Sequence, residues 1–465
     1  MTSHLTRILL ATVLTASCAF AQDIDPFPQP INTTDGVIRV GIADFATIPS
    51  DGQPARMMLL VTEPGTRRLF VNDMRGPLYS VSYDGRTVTK YLDINAPNWG
   101  VAVQSQGNER GFQSFAFHPQ FNQQGSRGYG RFYTYTDTTN TQPKADFEPK
   151  GEMVTHHTVL LEWTAKNPAA ATYDGGAPRE VIRLRQPFAN HNAGLIAFNP
   201  NTPAGDPEYG LLYMSVADGG NGGDPLEMAQ DLNAGFGKIF RIDPVGNNST
   251  NGKYGIPASN PFASDNNPRT LGEIYAYGVR NPQRYGWDPK TGNMYVAEIG
   301  QNIVEEVSQV TRGGNLGWND WEASFRFVSR TEIKLNEKRG DPKVTYPIVE
   351  YDHRDALFAG TGRAAITGLV VYRGTAIPQL SNMVLFGDNP SGEVFYFSAD
   401  RLPTGGQDPI RRVLFNSGGT SKTLLQLIKE KNPGAARADL RFGTGPNDQV
   451  FLLNKADDTI RVLRP

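Results

Sequence analysis

Apolar residues in this chain come mostly in short unbroken runs, and one phrase keeps returning. A Pro or Gly turn leads into a triplet with an aromatic residue, and a polar turn closes it. The instances are Leu69-Phe70-Val71, Arg131-Phe132-Tyr133, Leu212-Tyr213-Met214, Met294-Tyr295-Val296, Val384-Leu385-Phe386 and Val450-Phe451-Leu452. Runs this short, bounded by turn residues, predict β-strands. Their separation, about 60 to 90 residues, is too irregular for a tight solenoid and suits propeller blades with long loops. Six instances predict an all-β fold, a six-bladed β-propeller with four-stranded antiparallel blades. An array of β-sandwiches would explain the strands but not one phrase recurring across the chain.

Further elements follow from the same pattern. Residues 37–42 read as a first strand, with Gly41 as a possible bulge, and 158–164 as a strand between two Pro/Gly-rich loops. Residues 420–432 combine Leu424, Leu425, Leu427 and Ile428 with lysines and predict the one amphipathic helix. No linker divides 37–465, which is expected to form a single propeller domain. Residues 22–36 are Pro-rich and read as a loosely held arm. At the start, Arg7, the apolar run 8–16 and Ala19-Phe20-Ala21 have the form of an export signal cut after residue 21. The expected location is therefore periplasmic or secreted, with no transmembrane segment in the mature chain. Cys18, the only cysteine, falls inside that signal, so the mature chain has no disulfide or thiolate chemistry.

Composition adds exclusions. With 38% hydrophobic and 20% charged residues the chain is globular, and 49 Gly and 33 Pro favour turns over long helices. A net charge of −2 makes nucleic acid or an anionic membrane an unexpected partner.

Candidate chemistry centres on residues 189–243. Three short strands there are joined by polar turns carrying His191 and the run Asp218-Gly219-Gly220. An imidazole titrates near neutrality and can act as a general base, and a carboxylate can orient it; by spacing alone, however, His191 reads as a turn histidine. Tyr277-Gly278-Val279-Arg280-Asn281-Pro282 ends a strand in a forked donor and an amide, a pair suited to a planar polycarboxylate. The turn Gly300-Gln301-Asn302 can offer carbonyls to a hard cation such as calcium. Glu305 and Glu306 read as solvated, Glu109-Arg110 as an exposed ion pair and His118 as structural.

These phrases together resemble the glucose/sorbosone dehydrogenase family, soluble aldose sugar dehydrogenases that use pyrroloquinoline quinone on a six-bladed β-propeller. The resemblance rests on G-F-Q-S-F-A-F-H-P-Q-F from Gly111, N-H-N-A-G from Asn190, D-G-G-N-G-G-D-P from Asp218 and G-K-I-F-R-I-D from Gly237. It continues in Y-G-V-R-N-P-Q from Tyr277, E-I-G-Q-N from Glu298, G-G-N-L-G-W from Gly313 and A-I-T-G-L-V-V-Y-R-G from Ala365. It implies that His191 removes the proton of a sugar's anomeric hydroxyl, supported by Asp218, while hydride passes to the quinone and then to an external electron acceptor. It implies that Arg280, Asn281 and Glu109 line the cofactor pocket and that backbone oxygens of Gly300 and Gln301 hold calcium. Two departures stand out. The family's lysine is absent from 386–392, and its closely spaced arginine pair is displaced to Arg437 and Arg441. Arg437, Arg441 and Arg363 are the candidates to replace those cations. A propeller that lost its cofactor and binds carbohydrate or protein is the alternative reading, and His353 is the next base should His191 fail.

Overall fold

Each of the six triplets lies on a strand with an antiparallel neighbour on both sides. In the computed structural model, which describes residues 24–151, 153–192, 194–361 and 364–465, these strands are Arg68–Asp73, Arg131–Thr138, Leu212–Val216, Met294–Glu298, Met383–Asp388 and Val450–Leu453. A strand with neighbours on both sides and a packed sheet above and below has no wet face. This is why the sequence shows continuous apolar runs there rather than alternation. The export signal and Arg363 lie outside the described residues.

Three four-stranded antiparallel sheets follow one another. The first is Phe112–Phe117, Arg131–Thr138, His156–Thr164 and Arg179–Gln186. The second is Ile196–Phe198, Leu212–Val216, Lys238–Ile242 and Ile274–Tyr277. The third is Pro282–Trp287, Met294–Glu298, Val304–Val310 and Val349–Asp352. A small three-stranded sheet, Trp321–Glu322, Phe325–Ser329 and Glu332–Lys338, is inserted before the last of these strands. The remaining strands share one thirteen-stranded sheet. Within it Ile38–Thr47 runs antiparallel to Thr459–Arg464 and parallel to Arg411–Ser417, tying the first described strand to the last. A second parallel contact joins Leu60 to Gly443. Among the described residues hydrogen bonding thus makes five sheets, and the expected count of six blades cannot be read from them directly. The core lies between neighbouring sheets. Phe70 meets Phe117 across two sheets at 4.7 Å between ring centroids, and within one sheet Phe132 stacks on its cross-strand partner Trp163 at 6.2 Å.

The helix forms at Leu424–Lys431, shorter than expected, with Leu424, Leu427 and Ile428 buried. Thr423 and Gln426 make a reciprocal capping box that fixes its start. Residues Thr420–Lys422 instead turn back on Arg411–Ser417 as a short strand, because Gly418 and Gly419 take the positive φ a tight reversal needs. Two expectations fail. The arm is pinned: Ile31 is buried, its N–H donates to Asp355 Oδ2 at 2.7 Å, and Phe27 packs edge-on against Phe325. Glu305 and Glu306 are buried rather than solvated, because their strand is covered by neighbours on both sides. Among the described residues no helix is long and apolar enough to cross a membrane.

Candidate active site

Strand Leu212–Val216 delivers Asp218 to a turn built on Gly219 and Gly220, with φ of 95° and 103°. A Cβ on Gly220 would stand 2.6 Å from the Asn190 carbonyl oxygen, so only glycine lets this turn close on the segment holding His191. His191 itself has a φ of 56°, an uncommon conformation for a residue with a Cβ. Its N–H donates to Glu109 Oε2 at 2.7 Å, which helps hold it there. Glu109 therefore serves His191 rather than an exposed pair with Arg110, whose Nε donates to the Gln106 carbonyl.

The ring of His191 lies between two charges. Nδ1 is 2.6 Å from Asp218 Oδ1, and Nε2 is 2.9 Å from Arg280 Nη2. A carboxylate only accepts and a guanidinium only donates, which places the ring proton on Nδ1 and the lone pair on Nε2. Asp218 is fully buried. It also accepts from Gly220 N–H and Trp318 Nε1–H, each at 2.9 Å. Burial opposes its charge, but His191, Arg280 and the Gly220 N–H outweigh burial and hold the carboxyl below its ordinary range. Arg280 is held in turn by the Ile299 carbonyl at 2.8 Å, by Gln301 Oε1 at 3.3 Å and by the Trp318 ring face.

The turn after Met294–Glu298 is organised from below. The N–H groups of Gln301, Asn302, Ile303 and Val304 all donate to Glu322 Oε1 at 2.8 to 3.1 Å. A trans peptide sets each N–H opposite to the preceding C=O. The carbonyls of Gly300 and Gln301 therefore point away from Glu322. A Cβ at residue 300 would stand 1.6 Å from the Val304 oxygen, so the turn demands glycine.

The His191 ring, Arg280 and the Gly300–Gln301 turn line one cavity of about 530 Å³, while Asp218, Trp318 and Glu322 are not among its lining residues. His191, Arg280, Asn281, Gly300, Gln301 and Glu109 are on its wall, and so are Arg437 and Arg441. The two late arginines arrive although their register in the sequence is displaced. Arg437 bonds Asn389 Oδ1 at 2.9 Å and Asp439 Oδ1 at 2.8 Å. Arg441 is buried. Its Nη1 donates to the Leu440 carbonyl, its Nε has no partner, and burial pushes its pKa down to about 10. Five basic side chains (Arg280, Arg330, Arg437, Arg441, Lys455) face two carboxylates, Glu109 and Asp439, among the described lining residues.

Sequence reasoning missed Lys455, Glu322 and the Trp318 indole as an Asp218 partner. Lys455 had a signal, a basic residue three positions past the last apolar triplet; Glu322 and Trp318 had none, because their roles exist only across the fold. His353 reaches the same cavity, with Nε2 2.6 Å from Glu305 Oε1. His118 is structural as expected: it is buried, its Nδ1 accepts from Gln120 N–H at 3.1 Å, and burial pushes its pKa down to about 4.

The fold and cavity define a propeller-like all-β protein with a cation-lined pocket around a histidine–carboxylate pair. The Glucose / Sorbosone dehydrogenase family model matches residues 53–406, and the chain belongs to that family. It is 26% identical over 436 residues to HIPL1 protein of Arabidopsis thaliana, covering 86% of this chain and 60% of that one. It is 28% identical over 329 residues to human Hedgehog-interacting protein, covering 70% of this chain and 39% of that one. The chain thus spans less than two thirds of either relative. The PQQ-bound aldose sugar dehydrogenase from Streptomyces coelicolor shares the fold, with a TM-score of 0.58 at 20% identity over 91% of this chain and 98% of that one.

Proposed function

We propose that this protein is an exported oxidoreductase that oxidises the anomeric hydroxyl of an aldose, with pyrroloquinoline quinone and calcium bound in the cavity and an external electron acceptor. We further read the fold as six blades. Dividing the thirteen-stranded sheet at its two parallel junctions leaves three more four-stranded units, each with a triplet strand second in its meander, and the short strand Thr420–Lys422 as an addition to one of them. The single observation that carries the function is the pocket itself: a base held between a buried carboxylate and an arginine, facing a surplus of cations.

The residues present suit both groups. A planar polycarboxylate meets Arg437, Arg441 and Lys455, and the unpartnered Nε of buried Arg441 is a donor waiting for an acceptor. A calcium ion would be held by the Gly300 and Gln301 carbonyls, which the Glu322 contacts turn away from that carboxylate. When bound, the quinone accepts hydride, chemistry no side chain here supplies.

The chain's own part is proton handling and alignment. His191 takes the hydroxyl proton at Nε2, and Asp218 stabilises the ring charge that results. In this structure Arg280 occupies that lone pair. Arg280 must therefore turn Nη2 onto an anionic or carbonyl oxygen of the ligand for a sugar hydroxyl to reach Nε2. Asn281 and Glu109 fix the neighbouring wall. The test is reconstitution of purified protein with the quinone and calcium, followed by dye reduction with a panel of aldoses. No reduction with any of them would overturn the proposal. The similarity to Hedgehog-interacting protein supports a second reading, a binding module that makes no use of the base.

A further inference from the structure

The chain lacks the family's lysine in 386–392, yet the cavity contains an amino group from elsewhere. Lys455 follows strand Val450–Leu453 and lines the cavity beside Arg437, Asp439 and Arg441. Its Nζ lies 3.2 Å from the Asn108 carbonyl and 3.5 Å from Met74 Sδ. These are one neutral carbonyl and one thioether, with no carboxylate bonded to it among the described residues. Its neighbour Arg441 has an unpartnered buried Nε. Asp439, the nearby acid, is engaged by Arg437 at 2.7 and 2.8 Å. Two donors with unused capacity therefore stand side by side on one wall, and the local acid is already taken. Such a pair is completed by an anion from solution.

We propose that Lys455 and Arg441 together form a carboxylate cradle on the wall carrying Arg437, and that Lys455 takes over from a new position in the fold the role of the missing lysine. The inference rests on the reading of the pocket as a quinone site and specifies which of the quinone's groups is held there: a ring carboxylate.

The cradle has a proton signature. The charges facing Lys455 are Arg441, Asp439, Arg56 and Arg437, and Glu109 faces Arg441. Burial, reinforced by the three arginines, pushes the Lys455 amine well below its ordinary value, against the pull of Asp439. An arriving carboxylate reverses that balance, so Lys455 takes up a proton as the ligand binds.

The experiment titrates full-length wild type, Lys455→Met and Lys455→Arg with pyrroloquinoline quinone in the presence of calcium, followed by quinone absorbance. Calorimetry in two buffers of different ionisation enthalpy counts the protons taken up. Wild type should bind with net proton uptake. Lys455→Met should bind roughly 10- to 100-fold more weakly, the scale of one charge-assisted hydrogen bond, and lose the uptake. Lys455→Arg should recover affinity without the uptake, because arginine stays charged throughout. A residue that merely packs against Met74 would alter the melting temperature and leave proton uptake unchanged. Wild-type affinity and uptake in Lys455→Met would overturn the cradle while leaving the quinone reading intact. Absence of quinone binding in wild type would overturn both.

Discussion

Replacing Asp218 by Asn tests whether the carboxylate sets the state of His191. Asp218 accepts three donors: His191 Nδ1 at 2.6 Å and Gly220 N–H at 2.9 Å on one oxygen, and Trp318 Nε1 at 2.9 Å on the other. An asparagine fits the space but cannot satisfy all three. With its oxygen toward His191 and Gly220, its NH₂ faces the Trp318 N–H, and two buried donors oppose each other. Flipped, the NH₂ faces Nδ1, the ring proton moves to Nε2, and Nε2 then faces the Arg280 donor. Either way a buried donor is stranded, at about 1–3 kcal/mol, and a charged bond becomes neutral, for a total of about 2–4 kcal/mol. The pH dependence has a definite sign. The folded carboxyl is held below its ordinary value, so its contribution is complete above the unfolded pKa of about 3.9 and is lost as pH falls through the lower folded value. Urea unfolding of both proteins should show the full gap at pH 7 and a narrowing gap below about pH 4. Dye-reduction turnover should fall, though less than on removing the base. Equal stability at pH 7, or a gap as wide at pH 3 as at pH 7, would refute this account of Asp218.

Other outcomes are equally specific. His191→Gln should bind quinone and calcium nearly as wild type in a calorimetric titration and lose roughly 10²–10⁴-fold in turnover, the span of general-base catalysis; retained turnover would move attention to His353. Arg441→Ala and Arg437→Ala should each weaken quinone binding by about 1–3 kcal/mol, read by absorbance titration. Lys238→Met leaves the carbonyls of Met228, Ala229 and Phe236 without the ammonium that now bonds them at 2.6 to 2.9 Å. It should cost about 2–4 kcal/mol in chemical unfolding. His118 is held neutral by burial, with its pKa at about 4. The wild type should therefore lose stability as pH falls from about 6.5 toward 4, where the unfolded chain binds the extra proton, and His118→Gln should flatten that slope.

The sequence by itself determined the strands and the parts list of the site. Buried strands need both faces apolar, so Leu212-Tyr213-Met214 and its five counterparts were legible without coordinates. Glycines that must accept positive φ or close backbone contact, such as Gly220 and Gly300, were legible as turns. Asp218, Arg280 and Asn281 stood out because they follow apolar runs, where a strand end delivers a side chain, and His191 because it stands just before one. The tertiary structure decided which of these meet. Only the packing of the sheets against one another brings Trp318 onto Asp218, at 100 residues' separation, and Glu322 beneath the Gly300 turn. It also corrected the polarity of individual positions. Glu305 and Glu306 look solvated in a charged pair of letters, but burial is a property of the neighbouring strands, which a local pattern does not contain. The same reason explains the basic side chains: Arg437 and Arg441 come from the segment leading into one strand and Lys455 from the turn after the next, so charge at the pocket depends on where chain segments cross, not on where they stand in the sequence.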